Sequence, residues 1–345
     1  MIQRFIQIIH KQWRRTPFGK VKKKSDSIRW GIVGLGYMAE TFSSAIDGSS
    51  EGVVYAVASR TLAKAKQFSA LHGHCKAYGS YEEMVQDKSL NLDVIYIATP
   101  VKYHYEHVKL CLEAGQNVLC EKPITSSLYE FEELVELANK HNCFFMEGMW
   151  MKCLPTFLKA KHWIADNKIG KLQLLKVDFY KRAHIQPELA IYNAKEGGGV
   201  LKDFGVYAIS FIEEFLGGLP ENLSSVSRKS IHGIDSDWQI VAKKNNIQAI
   251  VNLSSNFGSL SKAVIVGECG FIEWDSQFNR TNIVSLYNSE GILVEKYVAK
   301  YKYEGFEFEV NEVQQCLLKK MKGSNVVTLD STKRTMQIID QLLNS

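Results

Sequence analysis

The sequence is poor in proline and has no long apolar run. Only 6 of the 345 residues are proline and 23% are charged, so extended disorder is not expected. No stretch approaches the ~18 to 20 apolar residues of a membrane-spanning helix, and the N-terminus lacks the unbroken apolar centre of a secretory signal. Internal repeats, metal-ligand spacing, a nucleophile elbow and a P-loop are also missing. These absences argue against membrane-spanning proteins, elbow-type hydrolases and P-loop enzymes.

The cysteines give no sign of a disulfide framework. There are 7 of them, an odd number, and no two form a C-x-x-C pair. Several lie inside apolar runs, where cysteine behaves as a small hydrophobic residue. A reducing cytoplasm is therefore the expected location.

Positive charge is concentrated at the N-terminus. Residues 1–27 hold eight lysines and arginines against one acid, a charge of +7, so the rest of the chain carries −2 of the overall +5. A near-neutral body argues against nucleic-acid binding. The apolar residues of this extension are spaced as on one helix face and predict a short amphipathic helix: Ile2, Phe5, Ile6, Ile9 and Trp13. Such a helix would contact a membrane surface or a partner; an ordinary extension of the first domain is the alternative.

Length and pattern predict two domains. A chain of 345 residues exceeds the size at which one core keeps growing. From residue 28 strands alternate with helices, which predicts a parallel sheet covered on both faces. After residue 150 the strands are joined mostly by turns, which predicts an antiparallel sheet with one open face. The expected class is α/β followed by α+β, with an extension (1–27), a Rossmann dinucleotide-binding domain (28–150), a substrate and oligomerisation domain (151–330) and a C-terminal helix (331–345).

The predicted elements can be given as ranges. Strands of the first domain are expected at 28–33, 53–58, 76–78, 93–98 and 116–120. Strands of the second are expected at 172–180, 223–226, 238–242, 249–252, 263–266, 271–274 and 284–287. Helices 199–215 and 306–322 are expected to cover one face of the second sheet, and 332–343 to form the last helix.

A glycine-rich turn follows the first strand. Gly34, Gly36 and Ala39 fill the G-x-G-x-x-A pattern, in which the glycines allow a tight turn and close approach of a pyrophosphate, and the alanine lets helix and strand pack. Tyr37 and Met38 lie inside the motif, where helix N-terminal amides would hold the phosphates. A glycine turn that binds nothing is the alternative.

The second strand ends without a carboxylate. An NAD site usually carries an acid there for the ribose 2′-hydroxyl, whereas this chain has Ser59 and Arg60, with Lys64 one turn into the next helix. Hydroxyl and positive charge suit a 2′-phosphate, so NADP is favoured over NAD. A solvated Arg60 is the alternative.

Two further strand ends should face the same crevice. Thr99-Pro100, followed by His104, ends the fourth strand, and Glu121-Lys122-Pro123 ends the fifth. His104 would touch the cofactor or serve as a surface or capping histidine. The Lys122–Pro123 bond is expected to be cis, since a charged side chain aimed into a crevice often depends on an unusual turn.

These motifs together resemble those of a known family. G-x-G-x-x-A, Thr-Pro-x-x-x-His and Glu-Lys-Pro are similar to those of the Gfo/Idh/MocA oxidoreductases, and the stretches 146–150 and 197–207 resemble its dihydrodiol and D-xylose dehydrogenase subgroup. The resemblance runs from residue 28 to the C-terminus. It implies two-domain NAD(P) enzymes acting on sugars, inositols and related carbinols, and a homodimer or larger oligomer formed through the open sheet face.

Two departures from the family pattern concern expected pocket positions. The residue after Thr99-Pro100 is Val101 in place of asparagine, and the usual Trp-Thr-Arg reads Trp150-Met151-Lys152, which places Lys152 at the expected substrate pocket. Trp150 is a candidate wall of the nicotinamide or sugar site, or else a core tryptophan. Arg182 and His184 would reach phosphate or substrate, or else be solvated strand-end residues.

The expected chemistry is hydride transfer at a carbinol carbon. Asp203 and Tyr207, spaced i, i+4, should share a helix face and converge on Lys122. A phenol of ordinary pKa ~10 is a poor base at pH 7, and a lysine ammonium at ~4 Å would offset about 4 kcal/mol of that deficit. The hypothesis is that Tyr207 transfers the proton, Lys122 lowers its pKa and Asp203 orients substrate or lysine. Which of Lys122 and Tyr207 finally takes the proton stays open, and a core Tyr207 with a capping Asp203 is the alternative.

Two classes of function fit these observations. The first is an NADP-dependent oxidoreductase for a sugar, polyol or dihydrodiol. The second is a regulatory protein of the same fold that senses the dinucleotide without turnover. Lys122 and Tyr207 favour the enzyme.

Overall fold

The computed structural model describes residues 26–182, 198–230 and 233–345. The basic extension up to residue 25, His184 and the first glycine of the 197–207 stretch lie outside the described residues.

The first sheet is parallel and has six strands. Its order is β3-β2-β1-β4-β5-β6, with every pair parallel. The strands are β1 (Ile28–Val33), β2 (Gly52–Ala58), β3 (Lys76–Tyr78), β4 (Val94–Ile97), β5 (Val118–Glu121) and β6 (Phe145–Gly148). All residues of β4, β5 and β6 are buried, as a sheet covered on both faces requires, and they are apolar except for Glu121 in β5 and Glu147 and Gly148 in β6.

Helices cover both faces of this sheet. They are α1 (Tyr37–Gly48), α2 (Leu62–Leu71), α3 (Tyr81–Gln86), α4 (His104–Glu113) and α5 (Leu128–Lys140). The residue pattern predicts helices from the glycine turn to about 46 and at 62–71, 81–85 and 103–114, which correspond to α1 to α4, whereas α5 and strand β6 were missed. Ser127 caps the missed helix, because its side chain accepts a hydrogen bond from the Glu130 amide. The Rossmann architecture expected for the first domain is confirmed.

The second sheet has eight strands in the order β14-β13-β12-β11-β7-β10-β9-β8. They are β7 (Leu172–Tyr180), β8 (Asn222–Lys229), β9 (Asp235–Lys244), β10 (Ile247–Ser254), β11 (Ala263–Gly267), β12 (Gly270–Trp274), β13 (Ile283–Asn288) and β14 (Leu293–Val298). Only the pair β7 and β10 is parallel; the others are antiparallel. The expected mainly antiparallel sheet is thus confirmed, and β14 was missed.

Four further helices follow β6 in the described part of the chain. They are α6 (Pro155–Ala165), α7 (Val206–Leu216), α8 (Phe306–Leu318) and α9 (Leu329–Leu343). Helix α7 packs under β7 and β10, whereas α8 packs against α1 and the turn Trp150–Cys153. The expectation that the helix at 306 covers the second sheet is therefore wrong: its apolar face is buried at the junction between the two sheets. Helix α9 contacts both α7 and α5.

Candidate active site

The glycine turn leaves open space where a phosphate would lie. Gly34 has φ +88°, and a Cβ there would lie 2.6 Å from Thr99 Cγ2, so the turn presses against the end of β4. At Gly36 nothing lies within 4 Å of the position of a Cβ. Gly36 precedes α1 and offers no side-chain cap to its amides. The buried Ala39 lets α1 approach the sheet. These residues fit a pyrophosphate held at a helix N-terminus.

Two exposed cations flank the end of β2. Ser59 is buried and its amide bonds the Tyr78 carbonyl at 3.2 Å, while the side chains of Arg60 and Lys64 are exposed. Tyr37, inside the glycine motif, is 64% exposed. Met38 is half-buried against the core. The expected ribose position therefore presents positive charge to solvent.

Lys122, Asp203 and Tyr207 come together at the carboxyl end of β5. Lys122 Nζ donates a hydrogen bond to the Asp203 carbonyl oxygen at 2.5 Å and lies 3.8 Å from Asp203 Oδ1. The same ammonium lies 5.0 Å from the centre of the Tyr207 ring. The Lys122–Pro123 bond is cis, as predicted. The i, i+4 pair does not sit on a regular α-helix, because Leu201–Gly205 is a π-helical turn that α7 continues; we call this whole segment the site helix.

Both proton-carrying groups hold their protons tightly. Burial raises the pKa of Tyr207 to about 12, which outweighs the lowering effect of the Lys122 charge. Burial lowers the pKa of Lys122, but attraction by Tyr207, Asp203 and nearby acids outweighs it, and the net pKa lies above the ordinary value. Lys122 lowers the pKa of Tyr207, in the expected direction, but in this enclosed site the loss of hydration is the larger effect and the net pKa is raised.

Trp150 is a direct partner of the tyrosine. Its Nε1 donates a hydrogen bond to the Tyr207 hydroxyl at 2.9 Å, and its ring stacks on Phe306 at 4.4 Å between centroids. Since the indole occupies one lone pair of the phenol oxygen, the phenol proton is left free to face a substrate. Sequence placed Trp150 at the site but could not show this hydrogen bond, because its partner lies 57 residues away.

Lys152 does not face the crevice. Its side chain is buried, and its Nζ lies 3.3 Å from Glu213 Oε2 and 2.9 Å from Glu214 Oε2, with Ser331 as a third partner. Arg334 bonds the same Glu213 at 2.6 Å. The expectation that Lys152 touches the substrate pocket is therefore corrected. The Lys152 ammonium is instead paired within an ion network that connects α7 to α9.

His104 lies between two of the predicted site loops, at Thr99 and at Pro123. It is buried, with Nε2 2.7 Å from the Thr99 carbonyl oxygen and Nδ1 2.8 Å from the Pro123 carbonyl oxygen. Burial lowers its pKa to about 4. His104 thus contacts both the Thr99-Pro100 loop and the Lys122–Pro123 turn, and as a neutral imidazole it donates a hydrogen bond to one of the two carbonyl oxygens. The Thr99 hydroxyl itself lies 3.0 Å from Nδ1 of His107, a neighbour that sequence reasoning missed.

A group of buried acids lies beneath the lysine. The Glu121 carboxyl accepts a hydrogen bond from the Tyr96 hydroxyl inside the core, and Glu147 accepts from the Ile124 amide and the Thr332 hydroxyl. Glu309, on α8, is 0% exposed and neither of its carboxyl oxygens has a hydrogen-bond partner. Burial raises the pKa of all three. Sequence reasoning missed Glu147 and Glu309.

The remaining expectations concern Arg182 and Pro100 at the rim of the crevice, metal binding and membrane-spanning helices. Arg182 is exposed after β7 and Pro100 is exposed at the start of the turn Val101–Tyr103. Within residues 26–182, 198–230 and 233–345, no cluster of three or more His, Cys, Asp or Glu side chains could hold a metal ion. In that same part of the chain no helix has the length and apolar character needed to cross a bilayer.

Fold and site together define a class of protein. A glycine turn at a helix N-terminus, cations at the ribose position and a lysine–tyrosine pair at the end of β5, two strands along the same sheet edge, are the parts of a dinucleotide-dependent oxidoreductase. Comparison with known families makes this specific. Residues 28–149 match the oxidoreductase family with an NAD-binding Rossmann fold, and residues 157–283 match the Gfo/Idh/MocA C-terminal domain. The chain belongs to the Gfo/Idh/MocA oxidoreductase family.

Curated relatives share this organisation over nearly their whole length. The trans-1,2-dihydrobenzene-1,2-diol dehydrogenase of Mus musculus is 31% identical over 325 residues, covering 91% of this chain and 96% of the relative. The enzyme of the same name from Homo sapiens is 30% identical over 324 residues, covering 92% and 96%. That from Xenopus tropicalis is 29% identical over 323 residues, covering 91% and 97%.

Solved structures share the fold. The 3-ketoreductase KijD10 from Actinomadura kijaniata, in complex with NADP and TDP-benzene, superposes with TM-score 0.79 at 22% identity over 92% of this chain and 97% of that one. An aldose-aldose oxidoreductase from Caulobacter crescentus gives TM-score 0.83 at 18% identity over 92% and 97%.

Proposed function

We propose that this protein is an NADP-dependent oxidoreductase that moves a hydride between the nicotinamide and the CH–OH carbon of a sugar, polyol or dihydrodiol. The observation that carries the proposal is the convergence of Lys122 and Tyr207 at the end of β5, at the same sheet edge as the glycine turn that follows β1. The relatives that match 91% and 92% of this chain are named for a dihydrodiol substrate.

The choice of NADP is supported by charge. Strand β2 ends in Ser59-Arg60 where an NAD site places an acid, and the exposed Arg60 and Lys64 side chains suit a 2′-phosphate. Charge-assisted hydrogen bonds from arginine to phosphate are among the stronger polar contacts in proteins. KijD10, which shares the fold, binds NADP.

The site residues have separable tasks. The bound nicotinamide supplies or accepts the hydride. Lys122, anchored on the Asp203 carbonyl, has remaining N–H groups that can hold the substrate oxygen. Tyr207, held by the Trp150 indole, transfers the proton between its hydroxyl and that oxygen.

The pKa values favour one starting protonation state. With a tyrosine pKa of about 12, deprotonating the phenol at pH 7 costs about 7 kcal/mol. Lys122, with a pKa above its ordinary value, is also protonated. The resting pair is therefore ready to donate a proton to a substrate carbonyl in reduction, and oxidation should accelerate as pH rises.

The outer face of the second sheet suits pairing with a second copy. Hydrogen-bonded register aligns one apolar residue from each of five adjacent strands on this face: Leu174, Val266, Phe271, Tyr287 and Leu293. Their side chains are half-buried or exposed, while the residues next to them in β7, β11, β12 and β13 include the buried Leu175, Ile265, Ile272 and Leu286. A neighbouring row carries charges of both signs, including the ion pair of Lys262 and Glu273 at 2.9 Å. We propose a homodimer through this face, since a mixed-charge row beside an apolar row can complement itself.

The proposed location is the cytoplasm. All seven cysteines are free, and five of them are buried. Thiols of this kind are maintained by a reducing compartment.

The function is tested by turnover with purified protein. Trans-dihydrodiols and pentoses are offered with NADP⁺ or NAD⁺, and the corresponding carbonyl compounds with NADPH, following absorbance of the reduced nicotinamide. We expect NADP(H)-dependent turnover that Lys122→Ala abolishes and Tyr207→Phe reduces, with both variants folded and still binding NADPH. Tight NADPH binding with no turnover of any substrate would instead identify a sensor, and full activity of both variants would refute the residue roles.

A further inference from the structure

Asp235, the first residue of β9, reaches the start of the site helix. Its Oδ2 accepts a hydrogen bond from the Leu201 amide at 2.8 Å and another from the Trp238 indole at 2.7 Å. The Leu201 N–H is one of the amides at a helix start that have no partner within the helix. The second sheet therefore supplies, through one carboxylate, a cap for the helix that carries Asp203 and Tyr207.

The chain makes room for this carboxylate at Gly199. This glycine has φ +127°, a conformation that other residues rarely adopt, and a Cβ there would lie 2.0 Å from Asp235 Oδ1. Both the backbone conformation and the space thus require glycine. The approach of Asp235 to the helix start therefore depends on two segments of the chain, the start of β9 and the turn at Gly199.

The widened turn that follows leads directly to the lysine. Leu201–Gly205 is π-helical, and such turns interrupt regular bonding and occur frequently at functional sites. The Asp203 amide bonds the Gly199 carbonyl at 3.0 Å, and the Asp203 carbonyl accepts from Lys122 Nζ at 2.5 Å. Hydrogen bonds at Leu201 and Asp203, joined by the backbone of residues 199–203, therefore connect the second sheet to the ammonium.

We infer that Asp235 is a positioning residue for Lys122. By holding the Leu201 amide it determines where the widened turn begins, and hence where the Asp203 carbonyl meets the ammonium. The inference rests on the proposed function, because it matters only if Lys122 acts on the substrate. A displacement of about 1 Å in such a group costs on the order of 100-fold in rate.

The test compares four variants of the full chain with wild type. Asp235→Ala removes the cap, and Asp235→Asn keeps an oxygen that can accept from Leu201. Gly199→Ala displaces the carboxylate without removing it. This variant replaces Asp235→Ala in the test if Asp235→Ala folds poorly. Thr328→Ala is the matched control: it removes the cap of α9, where the threonine hydroxyl accepts from the Ser331 amide at 3.1 Å.

We expect Asp235→Ala and Gly199→Ala to lower kcat about 10- to 100-fold, with the Kd of NADPH changed less than twofold because the glycine turn is untouched. Asp235→Asn should restore most of the rate. Thr328→Ala should lower the melting temperature and leave kcat unchanged.

A kcat of Asp235→Ala within twofold of the wild-type value would overturn the inference. The inference would also fail if Thr328→Ala lost as much kcat as Asp235→Ala. Lys122→Ala, measured in parallel, separates this result from failure of the proposed function. If Lys122→Ala is inactive and Asp235→Ala normal, only the positioning role fails. If Lys122→Ala is fully active, Asp235 has no catalytic lysine to position and both proposals fail.

Discussion

Glu309 should make the protein less stable as pH rises, and replacing it should remove that loss. Its carboxyl is 0% exposed and has no hydrogen-bond partner. Burial, reinforced by Glu121 and Glu147, raises its pKa well above the ordinary value of 4.5. A carboxyl whose pKa is higher in the folded state contributes full stability below pH ~4.5, and that contribution is lost as pH rises toward the folded pKa.

The magnitude follows from the proton count. Each proton bound by the folded but not the unfolded state costs about 1.4 kcal/mol of unfolding free energy per pH unit. Glu121 and Glu147, whose pKa values are also raised, add to the slope in the same sense. His104 acts in the opposite sense, because its pKa falls from 6.5 to about 4, but only within that interval. His104 and the buried cysteines, whose pKa values are also shifted, titrate alike in wild type and in a Glu309 variant, so the difference between the two pH profiles isolates Glu309.

Two substitutions separate ionisation from polarity. Glu309→Gln removes the titration but keeps a buried polar group, so its unfolding free energy should fall less steeply than that of wild type as pH rises above ~4.5, by at most one proton. Glu309→Met also removes the unpartnered polar atoms, and should add about 1 to 3 kcal/mol at pH 7. The assay is urea denaturation followed by circular dichroism across the pH range. An unchanged slope in Glu309→Gln, or a destabilised Glu309→Met, would show that the carboxyl is ionised and partnered, and would refute the reasoning.

Three other predictions follow from the site. Lys152→Met leaves Glu213 buried with less compensation and should cost about 3 to 5 kcal/mol, seen as a lower melting temperature; a melting temperature equal to wild type would contradict this. Arg60→Ala should weaken NADPH about 10- to 100-fold and NADH little, measured by calorimetry; equal losses would argue against a phosphate contact. Trp150→Phe keeps the ring stack on Phe306 but removes the donor that lowers the pKa of Tyr207, so the alkaline rise of the oxidation rate should move to higher pH, and an unmoved profile would exclude the phenol as the titrating group.

Much of the first domain was predictable because its signals are local. The strand, glycine turn and helix from Ile28 to Gly48 follow one another along the chain, and each uses a residue pattern with its own physical reason. The convergence of Lys122 with the site helix was also expected, although it joins residues 81 apart. There the crevice rule for parallel sheets supplied the long-range information.

The failures share a different cause. Strand β14 is exposed on nearly every residue, so it has no alternation of apolar and polar positions to reveal it. Lys152 has partners 61 and 179 residues away, and a lysine in sequence does not show whether it is solvated or buried in a network. The pKa of Tyr207 depends on how completely the site is enclosed, which no spacing rule expresses.

Helix α9 has a consequence for how the protein is made. Its Thr332 completes the hydrogen bonding of Glu147 on β6, and its Ser331 and Arg334 complete the ion network around Glu213. The strands that carry the cofactor turns leave the ribosome long before these residues do. A nascent chain can therefore pair the strands of its nucleotide domain early, but Glu147 and Glu213 lack part of their hydrogen bonding until residues 331–334 are synthesised. Enzyme activity should thus appear only late in translation, after the nucleotide fold itself has formed.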